Sequence, residues 1–188
     1  GNSVTHIHNA AFKDCISLET IDFSNSLKGI GLEAFRECTR LETVTLPDTV
    51  EIIGPYSFQS CTRLTAINLP EAIERIWGYT FRGCTSLRSI TIPNSVKKID
   101  EKAFEGCTSL ISIVIPFSVK HVEEKAFHGC TSLTSVTIKN PDTIIHWHAF
   151  WNCPGLTKDN VTLPSGFKFQ IIRSFDDELE KELKALTV

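Results

Sequence analysis

Methionine is absent from all 188 residues. No apolar run approaches the ~20 residues that a membrane-spanning helix requires. A basic excess is missing too: 19 Lys and Arg stand against 22 Asp and Glu, for a formal net charge of −3. Nucleic-acid binders normally carry a positive surplus, so that partner is not expected. The opening residues, Gly1 to His6, show no basic stretch leading into an apolar core, and so no secretion signal. A leading glycine in a chain without methionine fits a fragment or a mature form.

Equally missing are the common chemical signatures. No Gly-rich phosphate loop stands at a strand–helix junction. No Cys-x-x-Cys pair has zinc spacing. Acyl transfer needs a nucleophile, a base and an oxyanion site together, and no cysteine stands apart from its fellows to serve as nucleophile. Carboxylate pairs such as Glu123-Glu124 fall where an exposed turn is expected. Catalysis is not expected, and neither is a cofactor.

What the chain has in abundance is repetition, the first thing to look for. Cys15, Cys38, Cys61, Cys84, Cys107, Cys130 and Cys153 are each 23 residues apart. Phe12 through Phe150 keep the same step, and so do Leu18 through Leu156. Within one unit, Leu110-x-x-Ile113-x-Ile115 alternates with period two, placing Ile113 and Ile115 inward and Ser112 and Val114 outward on a short strand. Pro47, Pro70, Pro93 and Pro116 follow this strand and end its pairing. A second apolar pair recurs as Val50/Ile53, Ile73/Ile76, Val96/Ile99 and Val119/Val122, predicting a second strand on the opposite wall. A helical turn is expected to link the walls at Ala-Phe-x-x-Cys.

One such coil cannot bury its apolar side chains alone, but stacked coils can. The expected fold is a mostly β solenoid of about seven coils, with short parallel strands on two walls. At the usual strand spacing it spans roughly 35 Å. Val4 and Ile7 fall one period before Leu27 and Ile30, so the array, residues 1–167, is expected to begin in mid-repeat. Residues 168–188 form a tail in which Phe175, Leu179, Leu183 and Leu186 share a helical face. An amphipathic helix capping the last open coil is expected there.

The pattern Ala-Phe-x-x-Cys-x-x-Leu-x-x-Ile-x-Ile-Pro-x-x-Val-x-x-Ile, as in Thr85 to Ile99 and its flanks, resembles the BspA-like leucine-rich-repeat family. The resemblance runs from about Asn2 to Phe167. It implies a leucine-rich-repeat solenoid, and a surface or secreted bacterial or protist protein that attaches to host proteins or other cells. It brings no catalytic residues.

The expected function is therefore recognition or adhesion, with a protein, a glycan or a cell-surface or matrix ligand as partner. An intracellular scaffold, with a cytoplasmic location, and a structural spacer are the alternatives. Three features interrupt the monotony. Coil 5, the coil of Phe104, places Ile111, Val114 and Phe117 at outward positions of a face that is mostly Ser and Thr with few charges; such a patch suggests a contact site. Tyr56, Trp77 and Tyr79 cluster on adjacent coils outside the core columns, where exposed aromatics act as binding hot spots. Finally, His146 and His148, either side of Trp147, would face one way on an extended segment and could share a transition metal, though a third ligand is not evident. The cysteines suggest neither metal nor disulfide. Their number is odd and their side chains would point in parallel, a poor bridge geometry. Arg82, Arg88, Lys97, Lys98, Lys102 and Lys120 lie among glutamates and read as a mixed, solvated face.

Overall fold

The computed structural model describes residues 3–146, 148–167, 175 and 177–186. Its strands are short: β1 (His6–Ile7), β2 (Gly29–Ile30), β3 (Thr43–Val44), β4 (Ile52–Ile53), β5 (Ala66–Ile67), β6 (Arg75–Ile76), β7 (Lys98–Ile99), β8 (Ser112–Ile115), β9 (His121–Val122), β10 (Ser135–Ile138), β11 (Ile144–Ile145) and β12 (Val161–Thr162). One helix, α1, spans Asp177–Leu186.

All pairing is parallel and runs between neighbouring coils, which makes a solenoid. The first wall holds β3–β5 and β8–β10–β12; the second holds β1–β2–β4 and β6–β7–β9–β11. Register follows the 23-residue step, as in Ile113↔Val136 and Ile99↔Val122. The first wall's ladder is interrupted at Ile90 and Ile92, which stay buried without forming a strand. Beside β3, the Asn68 side chain bonds both the N–H and the carbonyl of Leu46, at 2.7 and 2.8 Å.

The link between the walls is more ordered than a single helical turn. Alternate N–H groups reach the next coil: Lys102 donates to the Glu124 carbonyl, Phe104 to Ala126 and Gly106 to His128. The intervening N–H groups close local turns, Glu105 to Lys102 and Cys107 to Phe104. Two left-handed residues per coil permit this path. One column holds Ala10, Glu33, Tyr56, Tyr79, Lys102, Lys125 and His148; the other holds Asp14, Glu37, Ser60, Gly83, Gly106, Gly129 and Asn152. The turns therefore stack into a third laddered wall, whose N–H groups find partners without a helix.

The core between the walls is a set of columns. Phe12, Phe35, Phe58, Phe81, Phe104, Phe127 and Phe150 stack with centroids 5.0–5.8 Å apart and nearly parallel planes. Phe175 continues the stack beyond Phe150 at 5.1 Å. Each cysteine after the first donates its thiol hydrogen to the phenylalanine carbonyl 26 residues earlier, from Cys38 on Phe12 at 3.0 Å to Cys153 on Phe127 at 3.3 Å. That bond explains a thiol where an alanine would also fit: it gives a buried carbonyl a second donor. None of the seven cysteines is in a disulfide; six are buried and Cys15, on the first described coil, is half-buried.

The period stretches once. Val161 pairs with Val136, 25 residues earlier rather than 23. The two extra residues are taken up in a bend closed by Asn160, whose side chain accepts from the Thr157 N–H at 2.8 Å and donates to the Gly155 carbonyl at 2.9 Å. At the end of the chain Phe175 and Leu183 are buried and Leu179 is partly so. The Leu186 side chain and residues 168–174 of the expected cap lie outside the described residues.

Candidate interaction surface

The first wall presents a face of hydroxyls and amides around its centre, with Glu19 paired to Arg40 and Glu42 to Arg63 at one margin. Thr43, Thr45, Ala66, Asn68, Ser89 and Thr91 line a shallow trough of about 610 Å³. Next to it, β8 alternates strictly, with Ser112 and Val114 out and Ile113 and Ile115 in. Ile111, Val114 and Phe117 stand 52%, 46% and 61% exposed, three large apolar side chains on one coil. Lys120 Nζ lies 5.4 Å from the Phe117 ring centre, a cation on the patch's edge.

The aromatic cluster is different in kind and in place. Tyr56 and Tyr79 stack on each other at 4.5 Å, and the Arg75 guanidinium covers the Trp77 ring at 4.2 Å. Lys102 Nζ stands 5.3 Å from the Tyr79 ring. The Glu101 carboxylate, hydrogen-bonded to the Tyr79 hydroxyl, pushes that phenol above its ordinary range. All three aromatics are half-buried rather than exposed, because they pack against their own ladder neighbours. They also belong to the second wall and the turn after it, so they do not form one continuous surface with Ile111, Val114 and Phe117.

The second wall's exterior is ionic from β6 onward. Arg75 Nε bonds Asp100 Oδ2 at 2.8 Å, and Lys98 Nζ pairs with Glu123 Oε1. Each rung joins a residue on one coil to the residue 25 positions later. The diagonal offset keeps like charges in the Arg75–Lys98 column from facing one another unpaired.

The expected pair of histidines separates. His148 takes a left-handed backbone conformation, which ends the extended alternation, and its ring packs on Trp151 at 4.5 Å. His146 turns instead toward the preceding coil, its ring centre 5.8 Å from that of His121 and its Nε2 3.5 Å from Glu123 Oε2. The structure therefore brings His121 and Glu123 to His146, and not His148. The sequence carried a signal for this: His121 and Glu123 are two apart, and His146 is one period after Glu123. Trp147 lies outside the described residues.

Stacked coils with in-register parallel strands and an inward leucine column define a leucine-rich-repeat solenoid. The BspA-type leucine-rich-repeat region, in six copies, matches residues 1–77 and 51–178, and the chain belongs to that family. A leucine-rich-repeat protein from Bacteroides ovatus is 31% identical, with a TM-score of 0.69 over 83% of this chain and 46% of that one. The T. pallidum leucine-rich-repeat protein TpLRR is 28% identical, with a TM-score of 0.77 over 98% of this chain and 78% of that one. A leucine-rich-repeat protein from Eubacterium ventriosum, 21% identical, shares the fold with a TM-score of 0.67 over 79% of this chain and 38% of that one. The chain thus spans less than half the length of the Bacteroides ovatus protein. No curated protein matches the chain. Family and fold together support a repeat protein-interaction module. Among the described residues no helix is long and apolar enough to cross a membrane.

Proposed function

We propose that this chain is a non-catalytic recognition module of a surface or secreted protein, and that it adheres to protein partners through the first wall around Ile111, Val114 and Phe117. The observation that carries this reading is the exposure of all three on one coil, at positions where the other coils carry mostly polar residues. Leaving three large apolar side chains in water is costly at about 25 cal/mol per Å², and a protein contact would recover that cost. A flat trough suits a protein face better than a small molecule, which prefers an enclosed cavity. The half-buried Tyr56, Trp77 and Tyr79 take a secondary place, since their faces are already covered by each other and by Arg75. The Phe175 and α1 segment is proposed as the cap of the array, supported by the burial of Phe175 and Leu183.

The test is binding of the purified chain to whole cells and to immobilised matrix protein. Replacing Ile111, Val114 and Phe117 together with Ser should abolish it while leaving the thermal transition and circular dichroism unchanged. Undiminished binding by the folded triple variant would remove the proposed site. Enzymatic removal of surface glycans that abolished binding to cells would replace the protein partner with a glycan.

A further inference from the structure

The ionic ladder of the second wall ends on a rung that does not match. Arg75 meets Asp100 and Lys98 meets Glu123, each a cation facing an anion 25 residues on. At the next rung His121 meets His146, a base facing a base. Two imidazoles cannot complement one another as cation and anion. A shared electrophile would complement both.

We infer that His121, Glu123 and His146 form a binding site for a divalent transition-metal ion of the zinc class. One nitrogen of each histidine and one oxygen of Glu123 lie within 4.8 Å of one another. Donors around a tetrahedral zinc ion stand about 3.4 Å apart, as bond lengths of roughly 2.0–2.2 Å require. Glu123 Oε2 and His146 Nε2, at 3.5 Å, already meet that spacing. His121, on β9 between β7 and β11, brings the third donor within 4.8 Å of the other two. His146 Nε2 is buried and has no hydrogen-bond partner, so a lone pair or a proton there is unsatisfied. Coordination would remove that cost.

The surroundings select the kind of ion. Lys98 occupies Glu123 Oε1, which leaves Oε2 to the histidines and limits the carboxylate to a single donor oxygen. Asp100 is shared between Arg75 and Lys98. The Asp100 and Glu123 carboxylates are thus both engaged by cations, and affinity comes chiefly from the two imidazoles. That favours zinc, copper or nickel over magnesium or calcium, which need several oxygen donors. Three protein ligands leave a fourth position to water or to a donor from another molecule.

Isothermal titration of the untagged chain with ZnCl2 tests the site. One equivalent of Zn²⁺ should bind, and Mg²⁺ should not. His146→Ala and His121→Ala should each weaken binding at least about tenfold, the scale on which even outer-shell partners act. His148→Ala should leave it unchanged. Lys98→Met should tighten binding, because it removes a nearby cation and frees Glu123 Oε1; a misfolded variant could not mimic this gain. Failure to bind Zn²⁺, undiminished binding by His146→Ala and His121→Ala, or unchanged affinity in Lys98→Met would each overturn the assignment.

Discussion

On the first wall, β8 and β10 turn Ser112, Val114, Ser135 and Thr137 outward; on the second, the corresponding faces carry Arg75, Lys98 and His121, then Asp100, Glu123 and His146. Both walls enclose the same columns of Ile, Val, Leu, Phe and Cys. Stacking sets every outward residue about 4.8 Å from its counterpart on the next coil, so a repeated charge would face itself. The first wall avoids this with hydroxyls and apolar groups over most of its face, and pairs Glu19 with Arg40 and Glu42 with Arg63 at its margin. The second keeps its charges and pairs them on the diagonal. A repeat thus fixes its interior by stacking and leaves each exterior to solve the charge problem separately. The sparsely charged solution leaves an apolar patch open to a partner; the ionic solution leaves a polar niche where the diagonal ends.

The largest expected effect ignores the difference between the walls. Phe104 stacks between Phe81 and Phe127, so Phe104→Ala leaves a cavity common to both and should cost about 3–5 kcal/mol in urea unfolding. A cost below about 1 kcal/mol would mean that the coils slide together to close the gap.

Alkali should come next. Burial pushes the Cys38 thiol up to about 11, and the thiols of Cys84, Cys107 and Cys130 rise well above the ordinary value of 9.0, with a neighbouring cysteine adding to the effect. The folded chain then holds protons that the unfolded chain releases. Stability is fully present below about pH 9 and falls as pH rises beyond it, each such thiol adding to the decline. Urea midpoints measured between pH 7 and pH 10 should show the decline. In the native chain at neutral pH a thiol reagent should label Cys15 ahead of the other six, and all seven once unfolded; fewer than seven after unfolding would indicate bridges.

The smallest effect separates the walls most sharply. The rungs of the second wall are partly exposed, and surface ion pairs contribute about 0–1 kcal/mol each. Raising salt should lower the thermal midpoint of the parent slightly and should lower that of Lys98→Met less. The same salt series should leave binding through Ile111, Val114 and Phe117 intact. Loss of that binding in salt would move the contact to the ionic wall.

The solenoid was legible in the sequence because its determinants repeat: a core column needs only the 23-residue step to be seen. The exposure of Ile111, Val114 and Phe117 followed from the same columns. Two features were not legible, and a third was signalled but outweighed by a nearer spacing. The aromatics of adjacent coils cover one another, so an outward position did not mean an exposed ring at Tyr56 and Tyr79. The stacked turns depend on left-handed residues as unlike as Tyr79, Lys102 and His148, which no composition rule singles out. The convergence of His121, Glu123 and His146 depends on a diagonal between coils, whereas spacing along one strand pointed to His148.

The bend closed by Asn160 shows where this architecture tolerates a change of length. Elsewhere an added residue would shift an inward side chain to the outside and displace both left-handed columns from their neighbours. Between Leu156 and Val161 two residues enter, and the strand after them still pairs with the coil before. That corner is a natural splice point: a short insertion there would decorate the end of the rod while every stack beneath it stays in step.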